Sequence, residues 1–240
     1  MSEIISSEIL EEMAQYYRER ASEYDDWFYR RGRYNDRPET NPTWFAEVDE
    51  VFAALDALHL EGDILEIAPG TGIWTERLLR YANSITAVDA STEMMALNRA
   101  RLGSDRVTYM QADIFAWQPA RTYDAVSFSF WISHVPLDRL PAFLHMVATA
   151  LKPGGKIFFV DGRHEPTAAD QSLAQEGKQL KIRTLNDGRT FQIVKNYYDP
   201  AWLAARCKEA GLDVTVRQTA TYLLYGCGSR PDIACNGNAP

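Results

Sequence analysis

The spacing of apolar residues changes character along the chain. Over residues 7–24, Ile9, Leu10, Met13, Tyr16 and Tyr17 recur at helical intervals. Gly, Asn and Pro interrupt the pattern at 29–42, which predicts a loop. Asn41-Pro42 then opens a second helix carrying Trp44, Phe45, Val48, Val51, Phe52 and Leu55. From Asp63 the rhythm becomes strand and helix in turn. "DILEIA" predicts a strand, followed by a glycine loop and a helix to about Tyr81. "SITAVDA", "RVTYMQAD", "YDAVSFSFW" and "KIFFVD" predict four more strands. Between them, "STEMMALNRARL" is a helix capped by Ser91 or Thr92, and "LDRLPAFLHMVATAL" a helix closed by "KPGG".

Strands and helices at this spacing imply parallel strands joined by right-handed crossovers, an open α/β sheet with helices on both faces. The continuous apolar runs fit strands covered on both sides. Residues 162–198 break the alternation with two runs about Asp187-Gly188, a hairpin signal. A two-residue turn there would set Arg183 and Lys195 on opposite faces. A three-residue turn, Asn186 to Gly188 with Gly188 left-handed, sets them on one face with Lys181, Phe191 and Ile193, and Gly188 favours this register. "DPAWLAARCKEAG" predicts a helix capped by Asp199, and two antiparallel strands end the chain. The expected organisation is one domain over 1–240. It comprises an N-terminal helical lid (1–60), a five-stranded core (61–161), an inserted hairpin region (162–198), a C-terminal helix and strands (199–228) and a mobile tail (229–240).

Bulk properties narrow the function. The 240 residues carry a net charge of −8, which argues against nucleic acid or an anionic membrane as the main partner. Cys207, Cys227 and Cys235 form no C-x-x-C spacing, so neither a disulfide framework nor a metal site is expected. There is no signal-peptide pattern and no apolar run of about 18 residues; the expected location is cytoplasmic.

The chemistry gathers at the predicted carboxyl ends of the strands, where open α/β sheets bind ligands. "LEIAPGTGIW" ends a strand with Gly70 and Gly72, which allow close approach of a ligand to backbone. Thr75 stands where a dinucleotide fingerprint has its third glycine, which disfavours a nicotinamide oxidoreductase. Asp89 ends the second strand, placed for ribose hydroxyls; Asp113, with the backbone of Ile114, is placed for an adenine edge. Glu66 is an acid inside an apolar strand and requires a polar partner.

Taken together, "ILEIAPGTGIWTERL", "AVDAS", "QADIF", "YDAVSFSFWISHVP" and "LKPGGKIFFVD" resemble the class I S-adenosylmethionine-dependent methyltransferases, in order and at that family's spacings over roughly 62–161. Ala68 replaces the first glycine of the family loop. The resemblance implies a Rossmann-like fold and S-adenosylmethionine as cofactor, leaving as S-adenosylhomocysteine. It implies that Glu66, Ala68, Gly70 and Gly72 line the methionine and ribose portion, with Asp89 on the ribose. It sets Ala90 and Met94 beside the adenine, Asp113 and Ile114 on its edge, and Ser129 and Phe130 at the amino-acid end. "YYRERASEYDDWF" resembles the family's lid, which implies contacts from Tyr17 and Tyr24.

The acceptor decides what else is needed. An alcohol or amine must lose a proton, and His134 beyond the fourth strand is a candidate base. An acid is already ionised and needs a cationic clamp, which Lys181, Arg183, Arg189 and Lys195 of the hairpin offer. "YYRERASEYD", "FWISHVP" and "RTLNDGRTFQIVK" resemble a narrower group, the O-methyltransferases that esterify a phosphonate in dehydrophos biosynthesis. That likeness implies a small carboxylate or phosphonate acceptor, Arg183 and Lys195 as clamp, and Trp131 and His134 beside the methyl. The alternatives are N- or O-methylation of a neutral metabolite with His134 as base, or a non-catalytic S-adenosylmethionine-binding protein. "SFWI" replaces the Asn/Asp-Pro-Pro-aromatic motif of nucleic-acid base methyltransferases, which sets those aside.

Overall fold

The computed structural model describes residues 4–163 and 179–232. Residues 233–240 of the expected mobile tail fall outside the described residues, as does the first part of the predicted insertion, 164–178; the tail's start is instead fixed, with Arg230 N–H donating to Gly155 O at 2.8 Å. The N-terminal region holds α1 (Ser7–Glu19), α2 (Tyr24–Phe28) and α3 (Asn41–Leu58). The core runs β1 (Gly62–Ile67), α4 (Ile73–Leu78), β2 (Ala82–Asp89), α5 (Thr92–Leu102), β3 (Val107–Gln111), β4 (Tyr123–Ser129), α6 (Leu140–Ala150) and β5 (Leu151–Gly162). Then come β6 (Leu180–Thr184), β7 (Thr190–Val194), α7 (Pro200–Glu209), β8 (Asp213–Gln218) and β9 (Leu223–Ser229).

Seven strands form one sheet in the order β3-β2-β1-β4-β5-β9-β8. β1 to β5 are parallel; β9 runs against β5, and β8 against β9, so β8 points the same way as the core strands. The strand order reverses between β1 and β4, which opens the crevice at their carboxyl ends. Alternation along β1 sends Leu65 and Ile67 to the core with α6 and α7, and Ile64 to the core with α3 and α4. Ser91 accepts Met94 N–H, and Asp199 accepts Trp202 N–H, as their capping positions predict.

Two boundaries differ from the sequence pattern. The first helix stops at Glu19 and the chain turns before α2, while Met13 and Tyr16 pack into a small core with the hairpin. α6 begins at Leu140 rather than Leu137, with Pro141 in its first turn. The hairpin β6–β7 pairs Arg183 with Phe191 and Lys181 with Ile193, the register of the three-residue turn, and Gly188 has φ +89°. Phe191 and Ile193 bury against Ile5, Met13 and Tyr16, so this hairpin face holds the N-terminal helix over the sheet.

Candidate active site

Two cavities lie above the carboxyl ends of β1 and β4. The larger, of about 620 Å³, runs from the glycine loop to the end of β3 and is roofed by α1. Ala68, Gly70, Asp89, Ala90, Met94, Asp113, Ile114, Ser129 and Phe130 all border it, with Tyr17 and Tyr24 from the lid. The smaller, of about 410 Å³, lies between the lid and the hairpin. Tyr17, Tyr24, Phe130 and His134 border both, so these four residues mark the seam where the two spaces meet.

The strands' ends are shaped for this. Ala68 and Phe130 follow β1 and β4, and both adopt left-handed backbone, φ +51° and +54°, unusual for residues with a Cβ. Their N–H groups are held by Val88 O at 2.8 Å and Val160 O at 2.7 Å. A Cβ on Gly70 would meet nothing within 4 Å, which leaves its backbone open to the cavity. Asp89 accepts Ser91 N–H at 2.8 Å and Gly70 N–H at 3.3 Å, tying the two loops together. Burial raises the Asp89 carboxyl to about 6 against these donors.

The larger cavity fits an adenosyl sulfonium on its own features. Ser129 Oγ and Trp131 Nε1 are buried at its wall with no hydrogen-bond partner among the described residues. Gly70, with no side chain, leaves open space beside the Asp89 carboxyl, which borders the cavity.

Two residues expected to line the cofactor do not border this cavity. Glu66 does not border the cavity; it lies behind the glycine loop, fully buried, and among the described residues neither oxygen has a hydrogen-bond partner. Burial, opposed by the nearby Thr75 side chain and reinforced by the Asp89 charge, pushes its carboxyl up to about 8, so the protonated form dominates at pH 7. Gly72 also lies behind the loop. A Cβ there would sit 2.9 Å from Asn98 Cγ, so the glycine serves close packing. Trp131, expected beside the methyl, borders the cofactor-sized cavity and packs on Phe115 at 5.5 Å.

His134 is oriented on both sides. Nδ1 lies 2.6 Å from Val194 O, which only accepts, so Nδ1 carries the proton. Nε2 is then the lone pair, and it accepts the Tyr17 hydroxyl at 2.7 Å. Burial and the adjacent Lys195 charge lower the imidazole pKa to about 3. In this arrangement the Nε2 lone pair of His134 is taken by Tyr17.

Lys195 is also committed. Its ammonium donates to Asp161 at 2.9 Å and to Ser133 Oγ at 2.8 Å. Burial would raise Asp161, but Lys195, His134 and the Ser133 N–H outweigh it and hold the carboxylate below its ordinary range. Arg183 borders the smaller cavity with no ion pair among the described residues. Lys181 approaches Tyr197, and Arg189 is paired with Glu19 and Asp187 outside the cavity.

The sequence reading passed over four residues. Asp161 closes an apolar strand, the signal that singled out Asp89. Asn98 follows the buried Met94 and Met95 at helical spacing and donates to Gly70 O and Thr75 Oγ1 from the protein interior. Asp25 accepts Thr71 Oγ1–H at 2.6 Å and pairs with Arg101, docking α2 onto the glycine loop. Arg20 carries no local signal and is treated below. Among the described residues there is no His, Cys, Asp or Glu group able to hold a metal ion, and no helix long and apolar enough to cross a membrane.

A family model described as a methyltransferase domain matches residues 16–216. The chain is 31% identical over 157 residues to the ubiquinone biosynthesis O-methyltransferase of Xanthomonas axonopodis pv. citri (strain 306), 63% of this chain and 62% of that enzyme. It is 35% identical over 154 residues to the enzyme of the same name from Xylella fastidiosa (strain 9a5c), 62% of this chain and 60% of that one. The match thus spans about three fifths of these curated relatives. Among solved structures, the DhpI-SAH complex aligns with a TM-score of 0.78 and 36% identity, covering 95% of this chain and 99% of that chain. The DhpI-SAM-HEP complex aligns with a TM-score of 0.78 and 38% identity over 93% and 99%. The N-methyltransferase NodS from Bradyrhizobium japonicum WM9, in complex with S-adenosyl-L-homocysteine, shares the fold at 15% identity, with a TM-score of 0.63 over 92% of this chain and 100% of that one.

Proposed function

The chain belongs to the methyltransferase-domain family and is an S-adenosylmethionine-dependent enzyme; from that premise we propose that it methylates an oxygen of a small anionic acceptor, a carboxylate or phosphonate. The observation that carries this reading is the lining of the smaller cavity. Arg20, Arg33, Arg183 and Lys195 border it, and no described lining residue is a carboxylate. Such a space attracts an anion and repels a protonated amine. The names of the O-methyltransferase relatives support oxygen as the nucleophile.

S-adenosylmethionine, when bound, supplies a methyl group on positively charged sulfur, which leaves as a neutral thioether once an oxygen takes the methyl in line. The protein's part is placement. Asp89, the Gly70 backbone, Ser129 and Asp113 would hold the cofactor, and Tyr17, Tyr24 and Phe130 would enclose the seam. Tyr17 gives its proton to His134, so its oxygen lone pairs are left for the seam. Arg183, with the remaining Lys195 donor, would bring the acceptor's oxygen to that point, and no base is required because the oxygen is already ionised. Holding nucleophile and methyl in near-attack geometry can contribute about 7–11 kcal/mol.

Steady-state kinetics of Arg183→Ala and Lys195→Met test this. Arg183→Ala should raise KM for an acid about 10–100-fold, the loss of a charged hydrogen bond worth about 1.5–3 kcal/mol. Lys195→Met leaves Asp161 buried and unpaired, and should cost about 3–5 kcal/mol of stability. Arg183→Ala with wild-type KM sinks the clamp.

A further inference from the structure

Arg20 sits at the end of α1, where its N–H closes the helix on Tyr16 O at 2.9 Å. Its side chain turns inward, and the residue is only 8% exposed. The guanidinium carbon lies 5.6 Å from the Tyr16 ring, 5.3 Å from Tyr24, 5.5 Å from Trp27 and 5.8 Å from Tyr34. These rings attract the cation through their quadrupoles and fix the group in place. They do not replace the hydrogen bonds that water gave it. Nε is buried with no partner, and among the described residues no carboxylate pairs with the guanidinium. A buried charge without a partner is costly to keep.

The surrounding charges sharpen the point. Arg33 also borders the smaller cavity, but it is paired with Glu23 at 3.0 Å. Lys195 is paired with Asp161. Uncompensated positive charge in this space is therefore concentrated on Arg20 and Arg183. Arg20 is the deeply buried one, with orphaned donor capacity, on the same cavity wall as Tyr17 and Tyr24 of the seam.

We propose that Arg20 is a recognition residue for the acceptor: together with Arg183 it takes the oxygens of the acceptor's anionic group, which supplies the partner its buried guanidinium lacks. The proposal rests on the anionic-acceptor reading. The planar fork suits a group with two or more equivalent oxygens, and the four rings hold its plane before the acceptor arrives. Arg20 thus reads the anion from the lid, beside Arg183 of the hairpin.

The test is titration calorimetry on the full chain loaded with S-adenosylhomocysteine, using methylphosphonate and acetate as probes. Wild type, Arg20→Met, Arg20→Lys and Arg183→Ala are compared, with S-adenosylhomocysteine affinity measured for each. Arg20→Met should weaken binding of the better probe at least tenfold while S-adenosylhomocysteine affinity stays within threefold. Arg20→Lys, which keeps the charge and loses the fork, should fall between Arg20→Met and wild type. Ligand-free Arg20→Met should melt at or above the wild-type temperature, since an unpaired buried charge is removed. Anion affinity equal to wild type in Arg20→Met overturns the proposal and makes Arg20 a packing residue. If Arg20→Met does not fold, wild-type affinity in Arg20→Lys has the same force. A wild-type protein that binds neither probe yet methylates a neutral alcohol or amine overturns the anionic-acceptor reading itself, and Arg20's role with it.

Discussion

The Tyr17 hydroxyl lies 2.7 Å from His134 Nε2, across 117 positions of sequence. This contact ties the lid to the end of β4 and occupies the lone pair a general base would need. With the imidazole pKa at about 3, kcat at saturating cofactor and acceptor should show no step from imidazole ionisation between pH 6 and 8. Tyr17→Phe should lower kcat about 3–10-fold, the scale of one neutral hydrogen bond, and leave the profile flat. A step near pH 6–7 that disappears in His134→Gln restores the base.

Glu66 ties stability to pH. Its carboxyl is raised to about 8 in the folded protein, against an ordinary value of 4.5. The unfolded chain releases this proton first, so stability is full below pH 4.5 and declines as pH rises towards 8. Glu66→Gln removes the decline. It should raise the melting temperature of the ligand-free protein at pH 8 by several degrees and change it little at pH 4.5. His134 acts in the opposite sense. Its folded pKa is depressed, so its contribution is present above pH 6.5 and is lost as pH falls towards 3. An equal effect of Glu66→Gln at both pH values contradicts this assignment.

Asn98 holds the glycine loop from behind. It donates to Gly70 O at 3.3 Å and Thr75 Oγ1 at 3.0 Å, and accepts the Tyr109 hydroxyl at 2.8 Å. Asn98→Ala leaves buried polar groups unpaired, a cost of about 1–3 kcal/mol each. It should weaken S-adenosylhomocysteine binding about tenfold or more, measured by calorimetry. Gly72→Ala should do the same, because its Cβ would meet Asn98 and its φ of +92° excludes an ordinary side chain. Unchanged affinity in both variants removes Asn98 from the account.

Much of this site was legible because its residues follow strand ends. Asp89, Asp113, Ser129 and Phe130 sit where an apolar run stops, and a parallel sheet brings those stops to one edge. Gly188 likewise set the hairpin register through its left-handed backbone. What failed was the direction of side chains near those ends. Glu66 and Gly72 lie in the right motif but face away from the cavity, since neighbours on a strand or tight loop point to opposite sides. The Lys195–Asp161 pair and the burial of Arg20 depend on how the lid and hairpin pack against the sheet. No local periodicity encodes such long-range contacts, and Arg20 stands in sequence among exposed charges of the same helix.

The central claim is that the acceptor is an anion. Transfer of labelled methyl from S-adenosylmethionine to a panel of small phosphonates, carboxylates, alcohols and amines tests it most directly. The account predicts base-labile methyl esters from the acids, with kcat/KM at least a hundredfold above any neutral alcohol or amine. Preferential methylation of an amine or alcohol, with the acids inert, would contradict it.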